Sequence, residues 1–446
     1  MMRTLKIGFA VSIGLIVGTP ALAFTPPTPP DAKSSVIKIR STDLVARLNE
    51  LGIRYRNKAI TAATINRLNY VSFRARDGRQ LVDADCAMLN QLVKLTSIRI
   101  QDGRLSSGCL GAIAAIPTLK SLVLYRAHLE PGALAALNAS TTITSLTLHE
   151  VTGLEPSSLG ALQEMQQLRN LQLLSPGLGY HGDTVGDDLA EAVADLASIQ
   201  RLSLSNAKLG PQGLAALARL PRLRSLSLVR SEISDEAVAA FVVEGPSVSS
   251  LNLSNIATLT PAALKSLAEL KSLRQITISF TRLGPGLGAL GSAPRLRRIS
   301  ATYSGVTDVA LEGLARARSL SSLDLAGNKE ITSAGFAAIG EMTALENLVV
   351  SSTRLVSADL TSFASLDRLE RLSLYNTDLT DEGLSHLLKL RLRFLNIGNT
   401  RVTAFGLSEL LNVTSLKSVS ASGSYISKDD AKAVRQVNPK LRVIAR

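Results

Sequence analysis

The segment LTDEGLSHLLKLRLRFLNIGNTRVTAFGLSELL, residues 379–411, carries residue types that can take part in acid–base chemistry. Asp381, Glu382 and His386 lie close together, and Asn399 follows. However, the phrase LTDEGL returns within the segment as VTAFGL, as a repeated structural unit would. We therefore predict that both acids lie in the first turn of a helix, where negative charge favours the helix dipole, and that His386 is exposed on that helix.

A second motif, GLGALG at residues 286–291, matches the G-x-G-x-x-G pattern of dinucleotide-binding turns. Such a turn must open the helix of a Rossmann unit and be followed by an acidic residue about 20 positions later. Here the motif is in phase with other helix-like segments of the chain. We predict that its glycines allow a compressed turn and that no cofactor binds.

Few other residues could support catalysis. The chain has four histidines and two cysteines. No pair of them has the spacing of a zinc site, and no nucleophile is found with a plausible base. We therefore predict that the protein is not an enzyme.

An internal repeat organises almost the whole chain. The pattern L-x-x-L-x-L, with Ile, Val, Phe or Ala at some positions and an incomplete last copy, begins 16 times at intervals of 23 to 31 residues. The starts are Leu68, Leu95, Leu119, Ile143, Leu168, Ile199, Leu223, Val248, Leu273, Leu296, Leu320, Leu345, Leu369, Leu392, Leu416 and Leu441. This regularity predicts a stack of similar units over residues 68–446.

Each unit combines a strand and a helix. LRSLSL, residues 223–228, alternates apolar and polar residues as a half-buried strand does, and GLAALARL, residues 213–220, places leucines on one helical face. The predicted first helical residues include Pro131, Pro156, Pro211 and Pro261. Because strands lie ~4.8 Å apart and helices ~10 Å apart, the helices must take the longer, convex side of the stack.

The chain resembles the leucine-rich repeat superfamily, and within it the ribonuclease-inhibitor-like class. LTDEGL resembles bacterial repeats of that class, and GALAAL at residues 132–137 and GLAALA at residues 213–218 resemble the GALA-type repeats of plant-pathogen effectors. The resemblance implies an α/β solenoid, a horseshoe of about 15–16 repeats of 23–25 residues with a parallel concave sheet and convex helices. The ninth repeat position, often Asn in this superfamily, is occupied by Asn328, Thr281, Thr353, Thr377 and Thr400.

Cys86 and Cys109 lie in adjacent units. Neighbouring helices are ~10 Å apart, whereas a disulfide requires a Cα separation below ~7 Å. An exported protein could form the bridge if the two helices are offset. Otherwise both are small buried thiols, and the sequence leaves the two alternatives open.

One interval of 31 residues contains the extra segment SPGLGYHGDTVGDD, residues 175–188. It follows a strand, so we expect it at the rim, where loops on a rigid scaffold often carry recognition. His181, Asp183, Asp187 and Asp188 could hold a cation, but their spacing matches no known loop, and the last two could cap the next helix. We predict no metal site and leave partner contact and a passive insertion open.

The N-terminal region has three predicted parts. Residues 1–23 have a basic start, a short apolar run and the small residues ALA, which predicts a signal peptide cleaved after Ala23. Residues 24–35 form a Pro-rich linker, and residues 36–67 form a segment that caps the repeat domain. We therefore expect a bacterial protein of the periplasm or medium, with no membrane span and a mature charge of about +11, since the signal removes two of 13 net positive charges.

The repeat pattern also predicts a binding surface. Arginines precede or begin several strands, and aromatic residues follow them; both types often anchor interfaces. The predicted partner-binding residues are Tyr125, Arg126, Arg274, Phe280, Arg297, Arg298, Tyr303, Arg371, Tyr375 and Arg393.

These observations predict an exported, non-enzymatic protein that mediates protein–protein interaction through its concave face and rim. One alternative is an anionic polysaccharide or other envelope polymer bound by the arginines, which salt would weaken steeply. Another is a host-directed effector, because GALA-type relatives act as substrate-recognition parts of ubiquitin ligases. Those relatives carry an F-box before the repeats, and residues 36–67 contain none. Nucleic acid is not an expected partner.

Overall fold

The computed structural model describes residues 41–54, 58–75, 81–174 and 185–445. Within them, 16 strands form one parallel sheet in which neighbouring strands follow each other in sequence. The strands are Tyr70–Arg74, Ser97–Gln101, Ser121–Tyr125, Ser145–His149, Asn170–Leu174, Arg201–Ser205, Ser225–Val229, Ser250–Asn252, Gln275–Thr277, Arg298–Ser300, Ser322–Asp324, Asn347–Val349, Arg371–Ser373, Phe394–Asn396, Ser418–Ser420 and Arg442–Ile444. This sheet confirms the predicted α/β solenoid. The predicted signal peptide and linker lie outside the described residues.

Alternation along each strand directs the leucines inwards. In Ser225–Val229, Leu226 and Leu228 are buried, whereas Ser225 and Ser227, which alternate with them, are partly exposed. Leu226 pairs in register with Leu202 on one side and Leu251 on the other. Side chains at the same repeat position therefore stack along the solenoid and form one continuous core.

Helical segments connect the strands and cover the other side of this core. The α-helices are Ser41–Glu50, Ala62–Ile65, Asp83–Met88, Ser107–Ala114, Pro156–Gly160, Asp187–Ala194, Pro211–Ala218, Asp235–Val243, Pro261–Ala268, Asp308–Leu314, Ser333–Gly340, Asp381–Ser385, Ala404–Glu409 and Lys428–Val437. The 3-10 helices are Leu89–Gln91, Ala133–Ala139, Ala161–Glu164, Gly284–Ser292, Ser357–Ser365 and Leu410–Asn412. No helix of the described residues is long and apolar enough to cross a bilayer.

Three of the four prolines open helices as predicted, and the prediction for Pro131 is wrong. Pro156, Pro211 and Pro261 are first helical residues. After Pro131, Gly132 adopts φ 73° and caps a 3-10 helix that begins at Ala133. The left-handed glycine separates the proline from the helix, so Pro131 belongs to the preceding turn.

The acidic residues of the opening segment, Asp381 and Glu382, lie in the first turn of a helix, as predicted. Asp381 begins its helix as predicted, and its carboxylate accepts from the Thr403 backbone NH at 2.8 Å and from Thr403 Oγ1 at 2.6 Å. In the same way, the Asp308 carboxylate accepts from the backbone NH and Oγ1 of Thr332, which lies in the repeat after Asp308, at 2.9 and 2.5 Å. Each carboxylate therefore ties its repeat to the cap of the next helix. His386 is half-buried rather than exposed, because the helix ends at Ser385 and His386 forms its C-cap.

An ion pair fixes the helix Ser41–Glu50 to the first repeats. Arg47 Nε and Nη2 donate to Asp85 Oδ1 and Oδ2 at 2.7 and 2.9 Å. Asp85 is only 3% exposed and also accepts from the Val82 backbone NH at 3.2 Å. The hydrogen bonds with Asp85, and then with Glu50, raise the pKa of Arg47 above its usual value.

Replacing Arg47 by alanine is expected to lower the free energy of unfolding by about 2 kcal/mol, because the Asp85 carboxylate loses its cation while it stays buried. Water at the partly exposed guanidinium keeps the effect below that of a fully buried pair. Urea unfolding measures the change, and hydrogen exchange should rise first in residues 41–54. The double variant Arg47→Met, Asp85→Asn removes both charges and should recover part of the loss. An Arg47→Ala protein with wild-type stability would contradict this role.

The structure joins Cys86 and Cys109 in a disulfide, with 5.2 Å between the Cα atoms. Cys86 lies in the helix Asp83–Met88 and Cys109 in Ser107–Ala114. Both side chains are on the buried faces of these helices, at 0 and 1% exposure. The separation is about half the ~10 Å between helix axes, because residues on facing surfaces approach more closely than the axes do.

Candidate partner-binding surface

An aromatic pair stands where two central strands end. The rings of Phe280 and Tyr303 are stacked, with centroids 5.3 Å apart and planes inclined by 12°. Their side chains are 56 and 52% exposed. Tyr303 packs against Gly327, where an added Cβ would lie 2.4 Å from the ring. The two rings therefore form an apolar surface open to solvent, and the glycine makes room for it.

The backbone of both aromatic residues is strained. Phe280 has φ 57° and Tyr303 has φ 50°, in the left-handed region that bulky residues rarely adopt. The same position in other repeats is left-handed too and is occupied by Asp102, Arg126, Glu150, Asn206, Arg230, Asn255, Gly327, Ser352, Asn376, Asn399 and Gly423. Asparagine and glycine suit this backbone, whereas an exposed aromatic residue has no conformational advantage there.

Three of the predicted arginines lie at the opposite edge of the sheet. The Arg297 backbone NH donates to the Arg274 carbonyl at 2.9 Å, which makes the two residues neighbours. Arg298 begins the next strand, and its Nε donates to Gln275 Oε1 at 3.2 Å. Arg274 precedes the strand Gln275–Thr277 and Phe280 follows it, so the two residues lie at opposite ends of that strand.

The basic edge is not continuous. After Arg297, backbone hydrogen bonds lead along the same edge through Ser321, Glu346 and Glu370 to Arg393. Arg393 Nη1 lies 3.3 Å from Glu370 Oε2. Acidic residues therefore interrupt the predicted row and neutralise one of its members. The remaining basic cluster is Arg274, Arg297 and Arg298.

A third group lies on the face of the sheet near its C-terminal end. The Arg371 guanidinium carbon is 3.9 Å from the centre of the Phe394 ring, in a cation–π contact. Both residues line a shallow depression of about 330 Å³. Tyr375 is 44% exposed at the end of the same strand, with its ring 3.0 Å from where a Cβ at Gly398 would lie. This part of the face thus offers an aromatic ring under a cation.

The predicted residues Tyr125 and Arg126 belong to a charged cluster near the N-terminal end of the sheet. Asp102 accepts from Arg74 Nε at 2.8 Å and from Arg126 Nη2 at 3.0 Å. The guanidinium carbons of Arg99 and Arg126 lie 5.1 and 4.9 Å from the centre of the Tyr125 ring. Arg99 Nε is buried and has no hydrogen-bond partner among the described residues.

His149 extends this cluster. Its ring packs edge-on against Tyr125 with centroids 4.7 Å apart, and Nε2 is 3.4 Å from Glu150 Oε1. Burial lowers the pKa of His149, opposed by the charge of Glu150 and reinforced by that of Arg99. Sequence reasoning missed Arg99, Asp102 and His149, although their repeat positions place Arg99 and His149 on the exposed face of the sheet.

The ten predicted partner-binding residues therefore form separate groups. Tyr125 and Arg126 lie together near the N-terminal end of the sheet. Near its C-terminal end, Arg371 begins the strand Arg371–Ser373 and Tyr375 follows that strand. In the central repeats, the arginines occupy one edge and the aromatic pair the opposite edge. A ligand that engages all ten would have to follow most of the sheet.

The GLGALG motif is explained by packing. Residues Gly284–Ser292 form a 3-10 helix between Pro261–Ala268 and Asp308–Leu314. An added Cβ would lie 2.6 Å from the Pro261 Cβ at Gly286 and 2.2 Å from the Gly313 carbonyl oxygen at Gly291. The glycines therefore let three helical segments approach closely.

The segment 175–188 is only partly described. His181 and Asp183 lie outside the described residues. Asp187 begins a helix, and its Oδ1 accepts from the Gly210 backbone NH at 2.7 Å, as the other acidic residues do for their neighbouring caps. The parts of the chain that the structure describes contain no group of three or more His, Cys, Asp or Glu arranged to hold a metal ion.

Two family models match the repeats. The model described as "FBD-associated F-box protein At5g56370, LRR repeats" matches residues 159–304, and the model "Leucine Rich repeat" matches residues 316–340. Together with the 16-stranded parallel sheet, these matches define the class: the chain is a protein of the leucine-rich repeat superfamily. Proteins of this class commonly mediate protein–protein interactions.

Several solved structures are similar to the chain. An internalin of Listeria monocytogenes has 15% identity and a TM-score of 0.49, with 79% of this chain and 93% of the internalin covered. A leucine-rich repeat protein of Leptospira interrogans has 17% identity and a TM-score of 0.45, with 90 and 98% covered. TLR13 in its complex with ssRNA13 has 16% identity and a TM-score of 0.47, with 86 and 63% covered. No curated protein sequence matches the chain at a significant level.

Proposed function

We propose that this protein is an exported, non-enzymatic binding scaffold that holds a protein partner at the end of its central strands and on the adjoining sheet face. The exposed Phe280–Tyr303 stack carries this proposal. Export rests on the signal-like residues 1–23 alone, and an intact mass that begins at Phe24 would support it.

The stack has two costs that the fold does not explain. Its rings leave apolar surface in water, and its backbone is left-handed at two bulky residues. Neighbouring repeats use Asn255 and Gly327 at the same position without either cost. Rigid aromatic side chains of this kind are frequent anchors of protein interfaces. Binding of a partner would bury the rings and account for both features.

The test replaces both aromatic residues by asparagine, which suits the left-handed backbone. The double variant Phe280→Asn, Tyr303→Asn should unfold within about 1 kcal/mol of wild type, because relief of strain offsets the lost stacking. It should bind the partner at least ~30-fold more weakly, as loss of a central aromatic anchor does. The matched control is Phe405→Ser, which removes an exposed aromatic ring from the helix Ala404–Glu409 on the other side of the core.

The partner is captured from an envelope extract of the native cells and then purified for titration. We expect to capture a protein that wild type and Phe405→Ser both retain at high salt. The double variant should not retain it. If no captured protein distinguishes the double variant, the stack is not an interface. If capture instead requires Arg274 and Arg297 and is abolished by salt, the partner is the alternative, an anionic envelope polymer at the basic edge.

A further inference from the structure

A polar cleft lies at the strand ends of the last repeats, on the same side of the sheet as the Phe280–Tyr303 stack and beyond Gly327. It has a volume of about 500 Å³ and is lined by side chains from Lys329 to Tyr425. Its floor is the left-handed position of successive repeats, Ser352, Asn376 and Asn399. None of the predicted partner-binding residues lines it.

The floor is a ladder of hydrogen bonds. Asn376 Nδ2 donates to Ser352 Oγ at 3.1 Å, and Asn399 Nδ2 donates to Asn376 Oδ1. Each amide nitrogen thus keeps one N–H for another acceptor, and Asn399 Oδ1 accepts no hydrogen bond within the described residues. Backbone conformation explains why asparagine occurs at these positions, but not why its free donors and acceptor face a cleft.

Charged residues also line the cleft, two positions after the asparagines of the ladder. Arg401 Nη2 lies 3.4 Å from Asp378 Oδ1, and both side chains are more than half exposed. Lys329 is exposed at the near end of the cleft. The carboxylate disfavours a polyanion, whereas the arginine and lysine supply only donors and the aspartate only acceptors. A ligand that both donates and accepts hydrogen bonds can use every group.

Tyr425 forms the far wall of the cleft. Its backbone NH donates to the Val402 carbonyl at 3.0 Å, and Thr403 and Tyr425 form a parallel bridge, so the main chain is held in place. The side chain is 71% exposed. The Tyr425 ring, whose main chain is held in place and whose face is open to solvent, can pack against an apolar ring face of a ligand that also contacts the polar groups of the cleft.

We propose that this cleft is a binding site for a neutral oligosaccharide. Sugar hydroxyl groups donate and accept at once, as the ladder and the Arg401–Asp378 pair require, and the C–H face of a sugar ring fits over Tyr425. Successive rungs of the ladder are ~4.8 Å apart, so each can meet a successive unit of an extended chain. The site lies at the opposite edge of the sheet from Arg274 and Arg297 and does not depend on the proposed protein interface.

The purified full-length chain is applied to an array of immobilised neutral and uronic-acid oligosaccharides, and the soluble form of each bound sugar is then titrated by calorimetry. We expect binding to at least one neutral oligosaccharide. Tyr425→Ala should weaken it roughly tenfold, and Tyr425→Phe should retain it, because the ring supplies the contact. Asn376→Gly and Asn399→Gly should each weaken it by a similar factor, since glycine keeps the left-handed backbone and removes only the amide.

Two controls separate this site from others. Phe405→Ser should bind the sugar as wild type does. The double variant Phe280→Asn, Tyr303→Asn should also bind it. If this double variant no longer bound the sugar, the sugar site would lie at the protein interface. No neutral sugar bound, or binding unaffected by Tyr425→Ala and Asn399→Gly, would overturn the proposal. Binding confined to uronic-acid oligosaccharides and removed by salt would also overturn it, because the cleft would then be an anion site.

Discussion

Replacing Asn328 by alanine is expected to lower the free energy of unfolding by about 4 kcal/mol, at roughly 1 kcal/mol for each hydrogen bond lost. Asn328 is fully buried. Its Nδ2 donates to the Ala301 and Leu325 carbonyls at 2.8 and 2.7 Å, and its Oδ1 accepts from the Ser304 and Val306 backbone NH groups at 2.9 and 3.1 Å. Alanine would leave these groups without partners in a site that water does not reach.

The matched variant is Asn328→Thr. Thr353 and Thr377 occupy the same repeat position, and each hydroxyl donates to the carbonyl three residues earlier, at 2.6 and 2.7 Å. Threonine at 328 should therefore restore the bond to Leu325 but not the three bonds to the preceding repeat, and lose about three quarters as much stability as alanine. Urea unfolding gives the magnitude, and hydrogen exchange of residues 301–306 locates the change. Equal stability of wild type and Asn328→Ala would contradict the role of this residue.

Removal of the Cys86–Cys109 bridge is expected to lower the free energy of unfolding by about 3 kcal/mol. The two residues are 23 positions apart, and a loop of that length gives this value in the chain-entropy description of a disulfide. The double variant Cys86→Ala, Cys109→Ala should also loosen the helix Ser41–Glu50, because Asp85, the partner of Arg47, precedes Cys86 directly. The C-terminal repeats should keep their stability, since each repeat contacts mainly its neighbours.

Thermal unfolding with and without reductant tests this expectation. Wild type in reductant and the double alanine variant should show their first unfolding transition at the same temperature, which is lower than that of wild type without reductant. Reductant should not change the transition of the variant. A mass that is higher by two hydrogens after gentle reduction would show that the bridge was present in the native protein. If wild type carries two free thiols when it is isolated from its own compartment, the bridge is not part of the native structure. That result would also count against export, because an oxidising compartment outside the cytoplasm favours disulfide formation.

The repeat pattern was sufficient to predict the sheet, because its signals are local. Alternation in segments such as Ser225–Val229 sets which side chains face the core, and the recurrence of that segment sets the order of the strands. The same argument placed Asp381 at the start of a helix. Its bond to Thr403 in the next repeat was not predictable, because it depends on how two caps come together.

The candidate sites required the tertiary structure for a similar reason. Phe280 and Tyr303 were recognisable as aromatic residues after strands, but their stacking and left-handed backbone depend on the turn and on the space at Gly327. The ladder of Asn376 and Asn399 was invisible in sequence, since residues 23 positions apart meet only when repeats stack in register.

The sequence by itself therefore determined the class of fold and the position of each residue within its repeat, because the hydrophobic period is written locally and repeated many times. Only the tertiary structure decided which of those residues meet. It stacked the ring of Phe280 on that of Tyr303 and brought Cys86 to 5.2 Å from Cys109. It also formed a polar cleft from residues that carry no motif. The physical reason is that contacts between repeats depend on their offset and on side-chain conformation, which a one-dimensional pattern does not encode.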